Sequence, residues 1–194
     1  MTTENANPSL DPADNDTLVG LLRLFETKLK QNFHCALPAT VVAFDRDSQR
    51  AQVQPGINVT VTDGQQVNRA QIPSVPVVQM GGGDFLISFD LEKGNTGLLI
   101  VCDRDISLFL QSQETSKAST NRTHDLADSF FIPCVLWDYS LSSQDIGKMV
   151  IQSRDGNTKM SIGTEYIKIV TPLLAVEGNI TASGDITPGT PPPL

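Results

Sequence analysis

The chain of 194 residues carries 14 Lys and Arg against 22 Asp and Glu, a formal charge of −8, and it has 3 cysteines. The negative balance argues against a general nucleic-acid binder, which needs a basic face to displace counterions from phosphates. The odd, widely spaced cysteines exclude a disulfide framework and suit a reducing cytoplasm. No apolar run approaches the roughly 18–20 residues that span a bilayer, and Met1-Thr2-Thr3-Glu4-Asn5 lacks the basic and apolar regions of a secretory signal.

Residues 1–16 are polar, contain two prolines and read as a loosely held arm. A helix follows. Leu18, Leu21, Leu22, Phe25 and Leu29 recur at i, i+3, i+4, i+7 and i+11, which is one helical face. Asp11-Pro12 or Asp16 is expected to cap its start. Lys28 and Lys30 suit its C-terminal dipole, and Pro38 bars continuation. The apolar stripe either packs on the protein's own core or docks on a neighbouring subunit. The arm and helix form a first region, 1–35.

From residue 36 to 138 the period becomes that of strands. Ala39 to Phe44 and Ala51 to Pro55 flank a polar turn and predict a hairpin. Ile57 to Thr62 alternates and stops at Asp63-Gly64. Val75 to Met80, Phe85 to Phe89 and Gly97 to Cys102 are further short strands. Gly81-Gly82-Gly83 lacks the Lys-Ser/Thr and the following helix of a phosphate loop, so it is read as a hairpin tip. Residues 111–121 are polar throughout and read as a long surface loop. Six or so short strands after one helix point to a small closed antiparallel barrel, for which the oligonucleotide/oligosaccharide-binding fold (OB-fold) is the common five-stranded solution.

The last region, 139–194, is different. Met149/Ile151, Met160/Ile162, Ile167/Ile169, Leu174/Val176 and Ile180/Ala182 are apolar pairs two apart, and Ile186 begins a sixth. Turn-type sequences such as Arg154-Asp155-Gly156-Asn157 and Glu177-Gly178-Asn179 separate several of them. A strand with two inward side chains cannot close a core alone, and six in a row leave an open apolar face and open edges. Three chains wound round one axis close both, giving an intertwined trimeric β-helix. At about 4.8 Å between strands, six strands per face make a stem roughly 25–30 Å tall. The residues expected in the trimer core are Ile151, Ile162, Ile167, Ile169, Leu174, Val176, Ile180 and Ile186. The rival reading is that these strands complete the barrel sheet or form a monomeric sandwich.

The chain also resembles a known family, the membrane-puncturing central spikes of contractile-tailed bacteriophage baseplates, which carry an N-terminal OB-fold domain. The segment Asn121-Arg122-Thr123-His124-Asp125-Leu126-Ala127-Asp128-Ser129-Phe130-Phe131-Ile132-Pro133 resembles the one that ends the family's OB domain. Asp103-Arg104-Asp105-Ile106-Ser107 resembles a charged segment before the loop, and Gly178 to Thr187 resembles the spike repeats. The resemblance implies a structural virion protein of the tail baseplate, made in the host cytoplasm. It implies a homotrimer held by its OB end to the baseplate hub, whose stem crosses the host outer membrane on tail contraction. The sequence departs from spikes whose tip binds iron through a His-x-His pair, because its only histidines are His34 and His124. It ends instead in Thr187-Pro188-Gly189-Thr190-Pro191-Pro192-Pro193-Leu194, and prolines stop a strand ladder. A separate tip protein is expected to cap this end.

Arg122, His124, Asp125 and Asp128 are the densest polar group. No nucleophile and positioned base accompany them, so they read as a structural network where barrel meets stem. His34-Cys35 lacks further metal ligands nearby, and Cys102 and Cys134 sit in apolar runs as small hydrophobes. No catalytic residue, metal or cofactor is expected. Two other functions fit less well. One is an OB-fold module for single-stranded nucleic acid or glycan, for which basic and aromatic residues are too few. The other is a cell-wall hydrolase component, which needs a cleft between two carboxylates.

Overall fold

The computed structural model describes residues 17–60 and 64–184. The N-terminal arm, its expected caps Asp11-Pro12 and Asp16, the end of the Ile57–Thr62 strand, Ile186 and the Pro-rich end lie outside those residues. The protein is mainly β, with an N-terminal helix and a curled antiparallel sheet, and it divides into two units, residues 1–136 and 137–194.

The helix α1 runs Leu18–Asn32. Thr17 is its N-cap, in place of the caps expected from the sequence: its side-chain oxygen accepts the Gly20 amide at 3.0 Å. The helix ends well before Pro38, which lies inside the first strand. Of its residues only Gly20 is buried; Leu18, Leu21, Leu22, Phe25 and Leu29 are exposed. Among the described residues the stripe therefore does not pack on the protein's own core. No described helix is long and apolar enough to cross a membrane.

Five strands make the main sheet: β1 (Ala36–Asp45), β2 (Arg50–Pro55), β5 (Ile72–Pro76), β8 (Thr96–Val101) and β9 (Ser129–Pro133). Two hairpins interrupt them. The pair β3 (Val59–Thr60) and β4 (Gln66–Val67) lies between β2 and β5. The pair β6 (Met80–Gly82) and β7 (Phe85–Ile87) lies between β5 and β8. The main order is β5-β2-β1-β8-β9, antiparallel at every step. The two edges meet through a single parallel bridge, Val77 to Phe131, beside which the Val78 amide donates to the Phe131 carbonyl at 2.8 Å. The sheet thus curls until its edge strands touch, and that encloses the core.

The alternation read in the sequence sets the inside. Val41, Ala51, Val53, Val75, Leu99 and Phe131 are all buried, each side chain of Val or larger worth about 1.5–3 kcal/mol over its exposed state. A bulge between Val41 and Ala43 shifts the β1–β2 register. The triple glycine forms the β6–β7 hairpin, with Gly83 at φ +59 in its turn. Two elements differ from the sequence reading. The strand expected over 75–80 is centred earlier, on Ile72–Pro76. A short helix, α2 (Ser107–Ser112), opens the segment expected to lead into a loop.

The second unit contains a three-stranded antiparallel meander, β10 (Met149–Gln152), β11 (Lys159–Ile162) and β12 (Ile167–Val170). Three of the expected tail strands are therefore present. Residues 171–184, including Leu174, Val176 and Ile180, carry no strand. The first three strands find partners because tight turns return the chain. Beyond Val170, Pro172 lacks the N–H that a further ladder step needs.

Candidate functional site

Two arrangements stand out, one in each unit. In the first unit the chain leaves β8 at Val101 and returns at β9, and a polar network closes the neck of that excursion. Arg122 grips Asp128 with two parallel bonds, Nε to Oδ2 at 3.0 Å and Nη2 to Oδ1 at 3.1 Å, and its Nη2 lies 3.4 Å from Asp105 Oδ2. Both carboxylates are buried. Asp105 also accepts the Ser107 amide at 2.9 Å and the Thr120 hydroxyl at 2.7 Å. Hydrogen bonds from Ser107 first, then Thr120, hold the Asp105 carboxyl down to about 2. The Cys102 amide donates to the Asp128 carbonyl at 2.8 Å, tying the exit of β8 to the start of β9.

Of the four residues singled out in the sequence, Arg122 and Asp128 meet directly. Asp125 shapes the turn before Asp128, accepting the Ala127 amide on its carboxylate and the Asp128 amide on its carbonyl. His124 stands apart from the ion pairs. Held at φ +51, it places its ring 3.6 Å from that of Phe33, and its Nδ1 is 3.1 Å from the His34 carbonyl oxygen. The network lies wholly within residues 1–136. Asp105 was missed as a member, although Asp105-Ile106-Ser107 ahead of Leu108-Phe109-Leu110 carries a helix-start signal, a short acidic side chain bonding the amide two residues on.

The second arrangement is the β10–β12 sheet. Residues directly opposite in an antiparallel pair share a face, as do residues two apart on one strand. The register sets Met149, Ile162 and Ile167 in one row and Ile151, Met160 and Ile169 in the next. One face of the sheet is therefore wholly apolar, and four of its six residues, Met149, Ile151, Ile167 and Ile169, are about half or more exposed. The other face is mixed, carrying Val150 and Val170 beside Ser161, Lys159, Lys168 and Gln152. It is partly covered by the 3-10 turn Ser143–Asp145, whose Asp145 Oδ1 accepts the Ser161 hydroxyl at 2.9 Å while Oδ2 pairs with Lys159 at 2.5 Å. Ser161 is fully buried there.

Four of the expected core residues, Ile151, Ile162, Ile167 and Ile169, are thus gathered on one face, joined by Met149 and Met160. Leu174, Val176 and Ile180 are exposed and outside any ladder. Ile186 lies outside the described residues.

Among the described residues, no three His, Cys, Asp or Glu side chains gather as a metal set. Burial pushes the Cys102 thiol up, away from the thiolate form.

No match is found among the curated proteins. A family model described as the phage protein Gp138 N-terminal domain matches residues 37–134. That match begins in β1 and ends just past β9, so it covers the curled five-stranded sheet and the Arg122–Asp128–Asp105 neck. Spanning just over half of the chain, it shows that the protein belongs to the family of phage proteins with a Gp138 N-terminal domain.

Proposed function

We propose that this protein is a structural component of the virion, the central spike of a tail baseplate. It works as a homotrimer, attached to the baseplate hub through its first unit. Its stem leads tail contraction through the host outer membrane, with a separate tip protein at the far end. Its role is mechanical, and no catalytic step or cofactor is assigned to it. Membership of the phage family supports a virion or baseplate role. The strand order β5-β2-β1-β8-β9, with a parallel bridge joining the edges, supports an OB-fold reading of the first unit.

The observation that carries the proposal is the apolar face of the β10–β12 sheet. Of six apolar side chains in two rows, Met149, Ile151, Ile167 and Ile169 stand about half or more exposed, while the opposite face is latched by Asp145. A three-stranded sheet exposing such a face is incomplete. Further copies of the same chain supply the missing layer, and Leu174, Val176 and Ile180 gain ladder partners from neighbouring chains. Stiffness follows, since pairing through the stem leaves few backbone groups free to bend.

Light scattering on the purified full chain is the test. A stable mass of three times 21.0 kDa is the expected result. A compact monomer at all concentrations would overturn the spike reading.

A further inference from the structure

A cleft of about 480 Å3 opens where the last turn of α1 faces the β3–β4 hairpin, and its lining includes Lys28, Gln31, His34, Asn58, Thr60 and Arg69. Arg69 is held in the cleft by a neutral backbone acceptor and a neighbouring ring. Arg69 Nε donates to the Ile57 carbonyl at 3.1 Å, and its Nη1 is 3.5 Å from His34 Nε2. The His34 carbonyl in turn contacts His124 Nδ1 at 3.1 Å. Carboxylates outnumber cations in this chain, and Lys30, Arg46, Arg122 and Lys159 are each paired with one. The other ten cations make no such pair among the described residues, and two of them, Lys28 and Arg69, line this one cleft. Burial first and then the Arg69 charge hold His34 below its ordinary range, against the opposing charge of Asp125.

We propose that this cleft binds a phosphate-class oxyanion, free or carried by a phosphorylated sugar, between Arg69 and Lys28. The guanidinium supplies a fixed fork of donors and the ammonium a point charge. Side-chain amides of Gln31 and Asn58 add neutral donors. The Thr60 hydroxyl already accepts the Gln66 amide at 2.8 Å, which leaves its own proton to donate. Donors arriving from several elements suit a tetrahedral oxyanion better than a planar carboxylate. The C-terminal carbonyls of α1 oppose an anion with about half a negative charge, and two full cations outweigh them. The volume leaves room for the carrier beside the phosphate. The described lining of the cleft lies wholly within the first unit.

Calorimetry on the full-length protein with inorganic phosphate, glucose 1-phosphate and glucose separates the sources, and ring NMR of His34 and His124 reports the place. Both phosphates are expected to bind, more weakly as salt rises, and to raise the His34 titration point by stabilising its imidazolium beside Lys28, Arg69, His124 and Asp125. Selective binding of glucose 1-phosphate identifies a sugar phosphate as the ligand. Lys28→Gln should weaken binding about tenfold or more, the size of one charge-assisted hydrogen bond. Arg69→Gln should do the same, and because Arg69 also holds Ile57, the exposed Lys28 variant keeps the test readable if it fails to fold. Binding of glucose alone, an unmoved His34 ring, or variants that bind as the wild type overturn the proposal.

Discussion

Gly97 lies directly under the ring of Phe131, so that a Cβ at position 97 would collide with the ring and come within 2.5 Å of the Ile132 carbonyl oxygen. The two residues sit on paired strands, β8 and β9, at the point where the sheet curls to meet its other edge. Only glycine lets an aromatic ring cross a neighbouring strand this closely. Gly97→Ala should therefore force Phe131 out of place and lower the denaturation midpoint of the first unit. Phe131→Ala should cost about 3–5 kcal/mol, the usual penalty for removing a fully buried aromatic ring. Urea unfolding followed by circular dichroism measures both. A Gly97→Ala protein as stable as the wild type would contradict this packing.

Acid should unpick the neck of the β8–β9 excursion in a defined window. The Asp105 carboxyl, ordinarily near 3.8, is held down to about 2. A depressed carboxyl contributes stability that is present above the unfolded value and is lost as pH falls through the folded one. The window is therefore from about pH 4 to about pH 2. Asp105→Asn should reduce stability at neutral pH and flatten the acid limb in that window, read as urea midpoints against pH. An acid limb of unchanged steepness argues against the assignment.

Arg122 is the only cation bonded to the two buried carboxylates Asp105 and Asp128 among the described residues. Removing it leaves two like charges sharing a buried site. Arg122→Gln should lower the melting temperature at pH 7, because it leaves two buried carboxylates without their shared cation. Calorimetry on the variant and the wild type checks the sign.

On the proposed trimer, polar substitutions on the open face separate assembly from folding. Ile151→Asn with Ile169→Asn should drop the mass to that of one chain, 21.0 kDa, while the far-ultraviolet signal of the first unit persists. Truncation after Tyr139 should do the same. Retention of the trimer by the double variant, measured by light scattering, would remove the apolar face from the interface.

Asp145 latches the 3-10 turn to the mixed face through Lys159 and Ser161, and the Lys159 bond depresses its carboxyl. Asp145→Ala should free that turn and speed amide exchange in β11 while leaving β1, β2 and β8 protected. Hydrogen exchange by mass spectrometry distinguishes this from a global loss of stability.

Local pattern made the strands of the curled sheet legible. Alternation in Ala39–Phe44 and Ala51–Pro55 gave a hairpin because each strand has one wet and one dry face. The tail pairs at 149, 160 and 167 were readable for the same reason. What local pattern hid was long-range. Nothing near Val77 or Phe131 announces that they pair in parallel, since that contact depends on the curl of the whole sheet. The helix stripe was equally opaque: Leu18 to Leu29 would look the same whether covered or bare. Asp105 escaped notice because its partners, Thr120 and Arg122, follow it only after a polar run. The cleft cations Lys28 and Arg69 are separated by β1, β2 and the β3–β4 hairpin, and only folding brings them to one cleft.

The closing bridge also sets an order of events in synthesis. Val77 must wait for Phe131, roughly fifty residues later, before the sheet can seal. Until β9 has emerged from the ribosome, the β5 edge hangs open as an unpaired template. An open edge of that kind invites pairing with another chain, so the nascent protein is most exposed to aggregation in that interval.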